Sequence, residues 1–225
     1  MAMHATVTTW CLRNPPPNTA EFDRRVRTLM RGGIELGRRI GVVDVVIVAF
    51  DPDTILIVTF FETLDEAMDA GPHVLHYVEE GFADQLELVS RVAGQAFETS
   101  QFVPMERGET QQWRLSAAQM YGNVSTWRLD PSIRSPEAFE TYASDVMERS
   151  YSSLQDLGLL DAFGVRISND TVLVLRLCGD PAVFDAIYGE DAMNAGQELV
   201  GAKISLIEQS TGRAFDALSI FSDPA

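Results

Sequence analysis

Near its start the chain writes "ATVTTWCL", a β-branched and aromatic run that reads as a strand. Phe22, Val26, Leu29, Met30, Gly33 and Leu36 then recur at the helical period and predict a helix with one apolar stripe. Asn18 suits its N-cap, with Glu21 three residues on. After Gly41 come "VVDVVIVAF", the polar turn "DPD" and "TILIVTFF", the pattern of a hairpin. A second helical region follows, interrupted at Gly71 and Pro72, with Leu75, Val78, Phe82, Leu86 and Val89 as its buried stripe. The run "AFETSQF" closes the series as a last strand, so the predicted order is β-α-β-β-α-β.

The same pattern then repeats. An offset of 117 residues aligns Val7 with Val124, Thr9 with Thr126, Trp10 with Trp127 and Leu12 with Leu129. It also pairs Phe22 with Phe139, Met30 with Met147, Gly41 with Gly158, Asp44 with Asp161 and Asp53 with Asp170. Near the end of each half a one-residue insertion moves the offset to 118, matching Gly94 with Gly212 and Phe97 with Phe215. In the second half Ser135 and Pro136 open the first helix, "LLDAFGVRI", "SND" and "TVLVLRLC" form the hairpin, and "AFDALSIF" closes. Self-similarity of this kind sets the domain count: a first ferredoxin-like unit over 1–103, a linker over 104–120 and a second unit over 121–225. Strands this apolar need cover on both faces. Two units packed sheet to sheet within one chain would supply it, giving an α+β protein with a built-in pseudo-dimer.

With 33 acidic and 17 basic side chains, the formal charge is −16. That sign repels phosphate backbones and anionic headgroups, so neither nucleic acid nor a membrane surface is an expected partner. The longest apolar runs are about half a membrane span, and "MAMHATVTTW" carries no signal-peptide pattern, which leads to the expectation of a cytoplasmic location. Cys11 and Cys178 are too few for a disulfide framework and form no CxxC spacing. "RGGIELG" lies inside a helical pattern and lacks the strand-then-glycine context of a dinucleotide loop.

The first strands "VTTWCLR" and "VSTWRLD", the glycine turns before the hairpins, the passage "TILIVTFFETLDEAMDA" and the closing "AFE" and "AFD" resemble the dimeric α/β-barrel superfamily, above all its antibiotic biosynthesis monooxygenase-like branch. The resemblance implies an eight-stranded barrel with a cavity between sheet and helices in each half. It also implies a small apolar or aromatic metabolite as ligand, oxidised without a bound cofactor; the alternatives are a non-catalytic binding or scaffold protein that keeps the barrel and, behind both, a haem-degrading oxygenase. The haem-degrading branch of this topology uses an asparagine on the first strand, a tryptophan after the third and a histidine on the last helix. Here the first strand has no asparagine, Phe60 and Phe61 stand where the tryptophan would be, and only His76 could serve as the histidine.

The candidate site residues follow from these patterns. His73 and His76 share a helix face with Glu80, and a histidine at a cavity mouth suits proton transfer. Two imidazoles and a carboxylate also suit a metal, but the set points away from the apolar stripe, so no metal is expected. Glu190 and Met193 occupy the matched positions of the second half. Trp10 and Trp127, with Phe61, are candidates to stack on an aromatic ligand. Thr9, Thr126 and Arg128 lie on the opposite strand face by alternation and are candidates if that face looks into the cavity. A further homodimer is left open.

Overall fold

The computed structural model describes residues 3–50, 52–98, 119–188 and 203–216. The elements run β1 (Met3–Leu12), α1 (Thr19–Arg39), β2 (Asp44–Phe50), β3 (Thr54–Phe61), α2 (Leu64–Gly81), β4 (Leu86–Glu98), β5 (Met120–Leu129), α3 (Pro136–Asp156), β6 (Leu159–Arg166), β7 (Thr171–Cys178), α4 (Ala182–Tyr188) and β8 (Ile204–Asp216). This is the predicted order, written twice. The fold is α+β, with antiparallel strand pairing. Most of the segment read as a linker, together with Glu190 and Met193, lies outside the described residues.

The chain divides into two compact units, Met1–Ala96 with Gly212–Ala225, and Phe97–Thr211. In the first, the strands lie in the order β4, β1, β3, β2, and the end of β8 adds to β2 through Ala49 opposite Arg213. Gly212 is required at that edge, because a Cβ there would collide with the carbonyl of Ala49. Arg213 then reaches α1, its Nε donating to Asp23 Oδ1 at 2.8 Å. In the second unit β8 leads the order, followed by β5, β7 and β6.

Local chemistry recurs at the offset of 117. His4 faces Phe61 and Trp10 faces Ile55 in the first unit, where Tyr121 faces Cys178 and Trp127 faces Val172 in the second. Leu12 N donates to Asp53 O at 2.7 Å and Leu129 N to Asp170 O at 2.8 Å. The buried Asp44 and Asp161 each accept from the next residue's N–H at 2.8 Å. Gly41 and Gly158 both take φ values of 81° and 103°, the left-handed region in which glycine ends a helix without strain.

Asn18 caps α1 by accepting from Glu21 N, and Thr63 with Glu66 forms a complete capping box on α2. Two expectations need correction. Helix α2 is not interrupted at Gly71 and Pro72 but runs through them. Proline removes the N–H that would serve the Met68 carbonyl, yet Met68 is 53% exposed, so water can take that role. Leu86 and Val89 belong to β4 and not to the helical stripe, and the closing strand starts ten residues earlier than the apolar "AFE" suggests. "LELVSRV" carries both periods, and pairing along the whole length of β1 decides between them.

The cores follow the helix stripes. In the first unit Phe22, Val26 and Leu29 of α1 pack with Trp10, Ile47, Ile55 and Phe215. In the second, Phe139 and Tyr142 of α3 pack with Trp127, Phe97 and Val172. The sheet face of the first unit turned away from its helices is dry as well: Val46, Val48, Val58 and Phe60 are fully buried.

Candidate functional site

Each unit holds a cavity between its sheet and its helices. The first, about 110 Å³, is walled by Trp10 of β1, Ile55, Ile57 and Phe61 of β3, Leu86 and Leu88 of β4, and the facing sides of α1 and α2. An apolar cavity of about 150 Å³ holds one benzene ring, so this space is of the order of a single aromatic group. The second, about 120 Å³, is walled by Phe97, Trp127, Phe139, Tyr142 and Phe163 among others.

The cavity face of a strand is set by parity: Thr8 and Trp10 look inward on β1, and on β3 their neighbours Ile57 and Ile55 do the same. On β4 a bulge intervenes. Trp10 faces Leu88 but Thr9 faces Ser90, so Val89 is the extra residue, 62% exposed. One inserted residue moves everything after it to the other face. Arg91 therefore stands opposite Thr8 and lines the cavity, where unbroken alternation would have put Ser90.

Arg91 is half-buried, and its Nη2 donates to the Ala67 carbonyl of α2 at 3.0 Å. The guanidinium lies against Gly71, where any Cβ would collide with it. The other polar groups of this cavity are neutral. Thr8 Oγ1 donates to Ile57 O at 3.5 Å, and Tyr77 OH donates to Leu29 O at 3.5 Å. Burial, with the nearby Glu35 charge, raises the Tyr77 pKa. The glycines of "RGGIELG" find their use here: a Cβ on Gly32 would strike the Tyr77 hydroxyl.

The second cavity places its polar groups differently. Ser125 Oγ accepts from Trp127 Nε1 at 2.8 Å and from Arg176 Nη1 at 3.4 Å, and donates to Val174 O at 3.3 Å. Arg176 comes from β7, where the first unit has Thr59. The Tyr142 hydroxyl is buried and has no hydrogen-bond partner among the described residues. Burial, then the Asp145 charge, pushes its pKa up to about 12.

Of the residues singled out from sequence, Trp10 and Phe61 line the first cavity and Trp127 the second. Thr9 and Thr126 sit on the opposite strand faces, Thr126 Oγ1 donating to Glu208 at 3.3 Å, and Arg128 is exposed. His73 and His76 stand on the exposed side of α2, with His76 Nε2 3.3 Å from Glu80 Oε1. Neither lines a cavity, because the cavity side of α2 is the one carrying Val74, Leu75 and Val78. No group of three or more His, Cys, Asp and Glu suited to a metal gathers among the described residues. No histidine borders either cavity, so the residues present do not fit a haem held by imidazole. Among the described residues no helix is long and apolar enough to cross a membrane. Arg91, Tyr77, Tyr142 and Arg176 were not legible as site residues. The one available signal was a basic residue inside each otherwise apolar strand pattern, "LELVSRVAG" and "TVLVLRLC".

No protein-family model matches the chain, and no curated sequence matches it. Solved structures do. A provisionally assigned chlorite dismutase is similar over 99% of this chain and 99% of its own, with a TM-score of 0.61 at 12% identity. A provisionally assigned monooxygenase from Lactobacillus acidophilus NCFM covers 96% of this chain and 95% of its own, with a TM-score of 0.57 at 8% identity. Chlorite dismutase from Candidatus Nitrospira defluvii, solved with imidazole, covers 98% and 94%, with a TM-score of 0.57 at 9% identity. At such identities the likeness shows a shared α+β fold with antiparallel strands and leaves the chemistry to the site.

Proposed function

We propose that the cavity of the first unit binds a small, mainly apolar metabolite carrying an aromatic ring. The observation that carries this reading is the wall itself. Trp10 and Phe61 flank a space the size of one ring, surrounded by aliphatic side chains and a few convergent polar groups. Binding is favoured over catalysis because the described residues of the wall include no carboxylate and no imidazole, the groups that would move a proton near neutrality. Oxidation of the bound ring by dioxygen is the second reading, favoured by the likeness to provisionally assigned monooxygenases.

Mass spectrometry of the purified protein under native conditions, with a thermal-shift panel of small aromatics, tests the first reading. Aromatic ligands should raise the melting temperature of the native protein and not of an Ile57→Phe variant, whose larger side chain would fill the cavity. A panel without a single saturable response would sink the proposal. Oxygen consumption with any ligand so found separates oxidation from binding alone.

For the architecture we infer a tandem duplication, with repeats at 1–103 and 121–225 joined by 104–120 and folded as an intramolecular dimeric α/β barrel. The matched registers of β1 with β3 and β5 with β7, the paired aspartates Asp44 and Asp161, and the dry second face of the first sheet support it. The acidic surface accords with a small-molecule partner and with neither nucleic acid nor a membrane. A cytoplasmic location, and a homodimer beyond the single chain, remain proposals for fractionation and light scattering.

A further inference from the structure

Four features meet at one wall of the first cavity. Among the described residues Arg91 is the only charged one that lines it. The β4 bulge turns that residue inward. Gly71, lacking a side chain, leaves the slot in which the guanidinium lies. Among the described residues its one hydrogen-bond acceptor is the neutral carbonyl of Ala67.

A guanidinium carries five N–H donors in a planar fork that matches a carboxylate. Taking a cation out of water is costly unless an anion or several acceptors replace the hydration. One carbonyl replaces little of it. A carboxylate would satisfy two donors at once through short, charge-assisted bonds. The slot fixes where that happens: the Ala67 bond and the Gly71 surface hold the head against α2, and Trp10 and Phe61 wall the rest of the space.

We propose that Arg91 recognises a carboxylate, so that the metabolite taken by the first cavity is a small aromatic acid. The inference rests on the reading of this cavity as a binding site for an aromatic molecule. It makes Arg91 a specificity-determining residue and Gly71 the residue that positions it.

Phenylacetate, its neutral isostere phenylacetamide and ethylbenzene, titrated calorimetrically into the full chain, test it. Native protein should bind phenylacetate about tenfold tighter than phenylacetamide or better. Arg91→Gln should lose that preference and bind acid no tighter than amide. Gly71→Ala should weaken phenylacetate selectively, because its Cβ takes the space of the guanidinium. Arg91→Lys should retain part of the preference, as charge without the fork. Equal binding of acid and amide by the native protein overturns the carboxylate assignment and leaves the aromatic reading standing, a result that requires no variant to fold. A preference that survives Arg91→Gln overturns it too, by placing recognition elsewhere. Failure of all three probes to bind overturns the underlying reading along with it.

Discussion

The two cavities have matching aromatic walls and differ in where an arginine enters them. Trp10 and Trp127 occupy matched strand positions, 4% and 5% exposed, and each packs behind a phenylalanine of the first helix, Phe22 or Phe139. The arginines do not match. Arg91 enters the first cavity from β4 behind a bulge and rests on Gly71, whereas Arg176 enters the second from β7 and joins a network with Ser125 and Trp127. Apolar positions are tied to each other by packing and change together, while one polar side chain can move between strands at little cost to the core. One scaffold thus carries two different polar arrangements behind matched apolar walls.

If the walls are equivalent, Trp10→Ala and Trp127→Ala should each cost about 3–5 kcal/mol in chemical denaturation. The Trp127 variant should lie at the higher end, since it also frees Ser125. A difference of more than about 2 kcal/mol between them would break the equivalence. Next in size is the network. Ser125→Ala should cost about 2 kcal/mol, because it strands the buried Trp127 N–H, whereas Thr8→Val removes one 3.5 Å bond and should cost under about 1 kcal/mol.

The two cavity tyrosines sharpen the contrast by sign. Tyr142→Phe removes a buried hydroxyl without a partner and should stabilise the protein by about 1 kcal/mol, while Tyr77→Phe gives up the bond to Leu29 and should cost about 0.5 kcal/mol. Melting temperatures of both variants would show opposite shifts.

The smallest effects are in pH. Hydrogen bonds from Arg24 and Arg25 hold the Glu21 pKa down to about 2 against an ordinary 4.5. Its contribution in the first unit is therefore complete above pH 4.5 and disappears as pH falls toward 2. Burial raises Tyr142 from 10.0 to about 12 and Cys178 from 9.0 to about 11. Both hold their protons longer when folded, so their contribution in the second unit is complete below pH 9 and declines as pH rises toward 12. Circular dichroism should show Glu21→Gln raising the acid midpoint and Tyr142→Phe raising the alkaline one. Unchanged midpoints in both variants would remove the electrostatic part of the contrast.

Much of the fold was readable without coordinates. The repeated hexapeptide, the N-caps Asn18 and Ser135, the glycines Gly41 and Gly158 and the hairpins all act over a few residues, and the structure places them as expected. Trp10, Phe61 and Trp127 were legible as cavity walls for the same reason, since large apolar side chains on a strand must find an interior.

What the sequence determined by itself was the order of elements, their caps and their apolar faces, because these depend on spacing and local hydrogen bonds. Tertiary structure alone decided the bulge at Val89, and with it the turn of Arg91 into the cavity. It also decided that α2 continues through Pro72. Those outcomes depend on which strand pairs with which residue across a sheet. That choice is made by contacts about eighty residues apart, which no local pattern of apolar and polar positions encodes.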